Sequence, residues 1–274
     1  MIQTIHLFRP LNRKLLEMLR SLPPADWSRP TVASRWTIKD VASHLLDGNL
    51  RTISLYRDQW PLPPATIKDY RELVDYLNRL NADWIKATQR LSPALLIQWL
   101  EMTHEPYVQC LEKLNPVASA IYSVAWAGDS VSTNAFHIAR EYTEKWHHQQ
   151  QIREAMYTPE ILTREFYHPV LQTFMMALPH AYQKVASPAG IAVTVLIDGN
   201  AGGRWTIVKT ENDWRFSDEQ PSRSDTQLTI PGTLAWKLFT KAVSPDDIQQ
   251  HVVITGNQEL ARPAMEMLPV MALR

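Results

Sequence analysis

Apolar residues recur every three or four positions through the first 180 residues, the spacing that places them on one face of a helix. The first such stripe runs from Leu11 to Leu22 and stops at Pro23, whose ring cannot continue a helix. Similar stripes follow, separated by short or proline-rich connections. They predict long helices over residues 11–22, 38–57, 70–91, 93–114, 131–155 and 159–178. Helices of this length and connection favour an up-down four-helix bundle.

Thr37 marks the start of the second predicted helix, and Asp40 follows it three residues later. A threonine hydroxyl at the N-cap accepts a hydrogen bond from a backbone amide of the first turn, and an acidic side chain three residues on reaches back. The pair therefore predicts a capping box that fixes where this helix begins.

The pattern changes near Pro179. Residues 191–197 are apolar and largely β-branched, which is typical of a strand, and the Gly-rich run 198–203 predicts a turn. Further strands are predicted over residues 205–208, 214–216, 227–230 and 252–255, and helices over 233–241 and 257–268. We therefore expect an α+β domain over residues 181–274, after a helical bundle over residues 1–180.

Length and charge support this division and exclude some classes of protein. A chain of 274 residues is long enough for two domains. Lys plus Arg and Asp plus Glu are equal at 28 each, so a broad basic surface for nucleic acid is not expected. No apolar run reaches the length of a membrane span, and the charged, proline-containing N-terminal stretch is not typical of a signal peptide. The single cysteine, Cys110, cannot form an internal disulfide, which fits the cytoplasm.

Four residues of the fifth predicted helix are candidate metal ligands. His137, Glu141, Glu144 and His148 lie at i, i+4, i+7 and i+11, so they share one stripe of the helix. A carboxylate and an imidazole one turn apart can chelate a divalent cation, and spacing does not choose between the two pairs. A third ligand must come from another helix, and His44 on the capped helix is the candidate.

Residues 35–44 and 137–153 resemble the DinB superfamily and, more narrowly, its mycothiol-dependent maleylpyruvate isomerase branch. In that family one histidine comes from the second helix. An acidic residue or histidine, and a histidine four positions later, come from a later bundle helix. The resemblance therefore implies His44, Glu144 and His148 as the metal ligands.

The resemblance extends to the C-terminal part of the chain. There the family's second domain is similar to sterol-carrier-type α/β domains, so the implied fold is a DinB-like four-helix bundle followed by a smaller sterol-carrier-like domain. The segments that carry this likeness are residues 202–205, 228–231, 236–239 and 256–262.

The family implies a thiol-dependent enzyme. The ligand set suits a divalent metal such as zinc, although nickel and other metals accept the same ligands. This metal would activate the thiolate of a small cofactor, either mycothiol or an equivalent thiol. That thiolate attacks an electrophilic small-molecule substrate, in cis–trans isomerisation or in thiol transfer. A carboxylate-bearing substrate calls for a cation, and Arg204 is the candidate catalytic residue, with Arg51 and Arg262 as alternatives.

Three other functions stay open. The protein could bind a lipid or another small molecule around a structural metal, or act as a metal-dependent hydrolase with Glu141 as general base, or be an interaction protein without turnover.

Among the neighbours of the site, Asp40 and Asp47 could orient a histidine ligand, and we place His147 beside the ligands or at the surface. The glutamines at 149–151 are expected at the bundle surface, and Cys110 as a buried, inert thiol. The sequence does not indicate the oligomeric state.

Overall fold

The computed structural model describes residues 2–61, 66–217 and 224–272 of the protein. The described chain forms two compact units. One contains the residues up to Ile121 together with Thr133–Ile161, and the other contains Tyr122–Ser132 and the chain from Leu162 onward. Within these ranges, none of the helices combines the length and the apolarity required to cross a bilayer.

The first unit is helical. Its long helices are α1 Phe8–Ser21, α2 Ile38–Tyr56, α3 Tyr70–Thr88, α4 Pro93–Glu112 and α5 Asn134–Met156. Four of them close a bundle, because α1 and α2 each pack against both α4 and α5, while α3 packs along the side of α2. The apolar stripes predicted from the sequence form the core of this bundle, with Leu19, Ile38, Leu46, Leu100 and Ile152 among its buried side chains.

Side-chain caps fix where several of these helices begin. The predicted capping box of α2 is confirmed, since the Thr37 hydroxyl accepts from the Asp40 amide and the Asp40 carboxylate accepts from the Thr37 amide. Asp69, Ser92 and Thr133 cap α3, α4 and α5 in the same way, each accepting from a first-turn amide. Such caps satisfy amides that the helix itself leaves without partners.

The second unit contains a five-stranded sheet. Its strands are β1 Ala192–Ile197, β2 Gly203–Lys209, β3 Trp214–Phe216, β4 Thr226–Ile230 and β5 Val253–Gly256. The strand order is β3-β2-β1-β4-β5, and only the β1–β4 pair is parallel. The helices of this unit are α6 Arg164–Met175, α7 Leu178–Ala181, α8 Gly232–Phe239, α9 Pro245–Ile248 and α10 Gln258–Glu266. The predicted helical first part and sheet-containing second part are thus both present.

The division between the units differs from the boundary predicted at residue 180. Helices α6 and α7 belong with the sheet, because α6 packs on β2 and α7 packs on β3. Within α6, the Tyr167 hydroxyl donates to the Gly232 carbonyl, and the His168 ring lies 5.9 Å from that of Trp205. Helical periodicity predicts that a helix exists, but it carries no information about which neighbour the apolar face will cover.

We expect the α2 cap to contribute measurably to the stability of the helical unit. Thr37→Ala should lower its free energy of unfolding by about 1 kcal/mol, because an N-cap hydroxyl and its reciprocal contact are lost. Urea titration followed by far-UV circular dichroism measures this. Thr233→Ala, at an exposed helical position of α8 that caps nothing, is the matched control and should change stability by less than about 0.5 kcal/mol. Equal effects of the two changes would contradict the assigned role of the cap.

Candidate metal centre

The packing of α2 against α5 brings three metal-ligating side chains together. His44, Glu144 and His148 each offer one ligand atom, and these atoms all lie within 4.8 Å of one another. The His44 and His148 rings have centroids 4.5 Å apart and meet edge to face. His148 Nε2 lies 3.3 Å from Glu144 Oε2. Among the described residues, it is the one group of at least three His, Cys, Asp or Glu side chains whose ligand atoms are close enough to hold a metal ion.

The protonation of the group fits a cation. Burial lowers the pKa of His44 well below its usual value, and proximity to His148 lowers it further, so the imidazole is neutral at neutral pH. Burial raises the pKa of Glu144, but contact with His148 and nearby positive charge outweigh burial and bring that pKa below the usual range. A metal binds neutral imidazole and ionised carboxylate, so His44 and Glu144 are already in the required state.

Two further observations fit a metal ion at this position. His44 Nδ1 is buried and has no hydrogen-bond partner among the described residues, a costly state for a polar atom. His148 Nδ1 lies 2.9 Å from Gln151 Oε1, and it must donate there because the carbonyl oxygen only accepts. In a neutral ring this leaves the lone pair on Nε2, the nitrogen that lies 3.3 Å from the Glu144 carboxylate. Either a proton or a metal cation placed between Nε2 and the carboxylate would therefore interact favourably with both groups.

An aromatic side chain packs against the two histidine rings of the site, and the Glu144 side chain is partly exposed. The indole of Trp36, on the segment before α2, lies 4.9 Å from the His44 ring and 5.9 Å from the His148 ring. The Glu144 side chain retains 32% exposure against 10% for His148. The carboxylate is therefore the more exposed of these two groups, while the histidine rings pack against Trp36.

The second pair that spacing allowed, His137 and Glu141, has other partners. His137 Nε2 is 3.1 Å from the Tyr56 hydroxyl and its Nδ1 is 2.9 Å from Arg140 Nη2. The Glu141 carboxylate accepts from Arg140 and from the Tyr107 hydroxyl. The His137 nitrogens and the Glu141 carboxylate are thus engaged within the protein, and these contacts favour Glu144 and His148 as the candidate pair.

The structure also gives the partners of the residues around the cluster. Asp40 serves the helix cap, as the capping box predicted, and Asp47 pairs with Arg51 at 2.9 Å rather than orienting a histidine. The three glutamines at 149–151 are buried rather than at the bundle surface, because α5 is covered on most of its circumference. His147 is also buried and lies beside His148, with ring centroids 4.8 Å apart, which is the first of the two positions expected for it. Burial and proximity to His148 lower the pKa of His147 to about 3.

Lys145 is a residue that sequence reasoning missed. Its Nζ donates to the Leu45 carbonyl at 2.9 Å and to Asn49 Oδ1 at 2.6 Å, and Asn49 in turn donates to Thr103 on α4. These bonds tie α5 to α2 beside the two ligand-bearing turns. Burial lowers the pKa of Lys145 to about 8. In the sequence, nothing about a lysine inside a long helix distinguishes a buried side chain from a solvated one.

The remaining candidates lie apart from the three-residue cluster in the chain. Arg204 is on β2 of the second unit, with an exposed side chain, and its catalytic role stays a prediction. Arg262 pairs with Glu266 on α10. Cys110 is buried on α4, as expected, and burial raises the pKa of its thiol.

Comparison with known proteins agrees with the architecture. A family model described as mycothiol maleylpyruvate isomerase N-terminal domain matches residues 8–153, more than half of the chain. Two crystal structures, described as the mycothiol-dependent maleylpyruvate isomerase and a histidine-to-alanine mutant of it, each cover 92% of this chain and 91% of their own. Their identities to this chain are 9% and 10%, and their TM-scores are 0.55 and 0.53. At this identity the likeness shows the fold alone.

A solution structure of the sterol carrier protein domain 2 of Helicoverpa armigera covers 39% of this chain at 21% identity, with a TM-score of 0.27. That score is too low to support a shared fold, so the sterol-carrier likeness of the second unit stays a prediction. No curated protein matches the chain in sequence.

The buried histidines make the stability of the metal-free protein sensitive to acid. Burial lowers the pKa of His104 and of His137 to about 4, and lowers that of His44 as well. A histidine with a folded-state pKa below its unfolded value stabilises the fold fully above about pH 6.5, and this stability is lost as pH falls toward the folded pKa. We therefore expect the free energy of unfolding to drop between pH 7.5 and pH 5 by roughly 2 kcal/mol for each of His104 and His137, with a further loss from His44.

Urea titrations at a series of pH values in the presence of a chelator measure this dependence. His104→Gln should make the dependence shallower, because one of the contributing imidazoles is gone. A free energy of unfolding that is flat from pH 7.5 to pH 5 would contradict the assigned neutral state of these rings.

Proposed function

The chain belongs to the mycothiol maleylpyruvate isomerase N-terminal domain family, and from this premise we propose a metal-dependent enzyme that uses a low-molecular-weight thiol. The proposed metal ligands are His44, Glu144 and His148. The observation that carries the proposal is the convergence of their three ligand atoms within 4.8 Å, from two helices of the bundle.

The residues of the site suit a divalent cation, and zinc is our first choice. Two imidazoles and one carboxylate form a common zinc donor set, and three protein ligands leave a position for another molecule. Nickel also accepts such ligands. When bound, a cation of this kind lowers the pKa of a coordinated thiol and holds it as the thiolate nucleophile.

The chain's own residues would prepare the site for this chemistry. Neutral His44 and anionic Glu144 supply donors without first releasing protons. Trp36 restricts the histidine rings on one side, and the partly exposed Glu144 leaves a route for the thiol on the other. Mycothiol is the thiol that the family name indicates, and an equivalent small thiol would have the same reactive group.

We propose that the substrate is an electrophilic small molecule with an activated carbon–carbon double bond. The thiolate sulfur forms a bond to one alkene carbon, the π bond breaks, and its electron pair moves onto the activating carbonyl group. After rotation about the resulting single bond, the carbon–sulfur bond breaks, the double bond re-forms as the trans alkene and the thiolate is returned. If the proton released by the thiol is instead taken up at the neighbouring carbon, the product is a thioether and the reaction is a thiol transfer. Arg204 remains our candidate for the cation that binds a substrate carboxylate.

The hydrolase alternative receives less support from the contacts of the site. It requires a general base that is not a ligand, and Glu141 was the candidate. Its carboxylate is held by Arg140 and Tyr107 instead, with the Arg140 contact at 2.8 Å. Burial raises the pKa of Glu141, but Arg140 and His137 outweigh burial and lower it, which makes the group a weaker base.

Metal analysis tests the assigned ligands directly. We expect wild-type protein to retain about one zinc per chain, as three protein ligands predict for one site, and His44→Ala and His148→Ala to lose it. His137→Ala is the matched control, since it removes a buried histidine from the same stripe of α5 but should keep the metal. Elemental analysis of each purified variant, with circular dichroism to check the fold, decides the question. Stoichiometric metal in both ligand variants would remove the site.

A substrate assay tests the chemistry. Metal-loaded protein should consume a cis-enedioic acid only when a thiol is added, and His148→Ala should reduce the rate to the background of the thiol alone. Chromatography of the products separates the two reaction classes, because isomerisation returns the thiol and transfer leaves a thioether. Absence of turnover across a panel of thiols, mycothiol included, would contradict the isomerase assignment.

A further inference from the structure

Two adjacent histidines of α5 are joined by one glutamine side chain. Gln151 Oε1 lies 2.9 Å from His148 Nδ1, and Gln151 Nε2 lies 2.9 Å from His147 Nε2. All three side chains are buried, with exposures of 5% for Gln151, 7% for His147 and 8% for His148. Both ends of the amide are therefore used, and both ends point at imidazole nitrogens.

Helix geometry explains why one residue can reach both rings. Successive residues are about 100° apart around the helix axis, so His147 and His148 point in different directions. Residue 151 lies about 40° beyond residue 147 and therefore between the two, one turn further along. A glutamine there spans the gap with its carbonyl on one side and its NH2 group on the other.

The amide assigns a different role to each nitrogen it touches. Its carbonyl oxygen accepts only, so His148 must carry a proton on Nδ1. Its NH2 group donates only, so His147 Nε2 is an acceptor. Rotation of the amide by 180° would require the opposite tautomer of both rings, so the amide orientation and the two tautomers are set together. The orientation in the structure is the one that leaves His148 Nε2 free to bind a cation, because it places the proton on Nδ1.

From this arrangement we propose that Gln151 is a positioning residue, held by His147, that selects the His148 tautomer with its lone pair on Nε2. That nitrogen is the one that faces Glu144 at 3.3 Å. The inference rests on the proposed function, since it describes how the chain prepares one of the three metal ligands. It adds two residues, Gln151 and His147, that are not ligands themselves.

The contrast with His44 supports the assignment. His44 Nδ1 is buried without a hydrogen-bond partner among the described residues, whereas His148 Nδ1 has one that can only accept. The protein therefore holds the His148 ring by a hydrogen bond, whereas the His44 ring packs against Trp36 and its Nδ1 has no hydrogen bond among the described residues. Partners at the far nitrogen of a metal-bound histidine fix its orientation and raise its basicity, and their loss typically weakens metal binding 10- to 100-fold.

The test compares three substitutions by zinc affinity, measured in competition with a chromophoric chelator. Gln151→Leu removes both bonds, and we expect zinc to bind about 10- to 100-fold more weakly. Gln151→Glu keeps an acceptor for His148 Nδ1 but loses the donor to His147, so it should lower stability while zinc affinity stays within a few-fold of wild type. Gln150→Leu is the matched control, a neighbouring buried glutamine on another face of α5, and it should lower stability without weakening zinc binding.

Nitrogen-15 NMR of the wild-type imidazoles gives a readout that does not depend on any variant folding. In the zinc-loaded protein we expect His148 to show a protonated Nδ1 and a metal-bound Nε2. The opposite assignment would overturn the proposal, as would equal zinc affinity of Gln151→Leu and wild type. If wild-type protein itself does not bind zinc, both this inference and the proposed function fail. Zinc binding by wild type with no effect of Gln151→Leu removes this inference alone.

Discussion

The contact between α2 and α5 is the constraint on which the candidate site depends. His44 comes from one helix, and Glu144 and His148 come from the other, so the ligand atoms meet only where these helices pack side by side. The contact is held by apolar packing and by Lys145, which donates to the Leu45 carbonyl and to Asn49. A shift of one turn, about 5.4 Å, would separate the imidazoles beyond any shared first coordination shell of about 2 Å bonds.

Helix α5 is unusual in how much polar chemistry it buries. Its polar side chains form three successive groups: the His137–Glu141 network with Arg140, the ligand pair Glu144 and His148, and the His147–Gln151 link. Burying such groups costs free energy unless each has a partner, and an apolar helix of the same length would pack at lower cost. Their presence on one core helix is best explained by a site that needs them, and the partners found around them are what allow the bundle to tolerate them.

Much of the fold could be predicted from the chain because it depends on local chemistry. Periodic leucines predicted the helices, and Thr37 with Asp40 predicted the start of α2, since both signals act within a few residues. The strands followed from β-branched runs between turns. Helices α6 and α7, which lie before residue 180, group with the sheet unit in the structure. A stripe of apolar residues in the sequence does not indicate which neighbour will cover it.

For the site, the sequence by itself determined that two carboxylate–histidine pairs share a stripe of α5, since residue spacing and helix geometry suffice for that. Resemblance to a family selected Glu144 and His148, with His44 as third member. Only the tertiary structure brought those three within 4.8 Å, gave His137 and Glu141 other partners, and buried His147 and Gln151 beside the ligands. The physical reason is that helix periodicity fixes directions around one axis, whereas burial and contact across helices depend on how the axes pack.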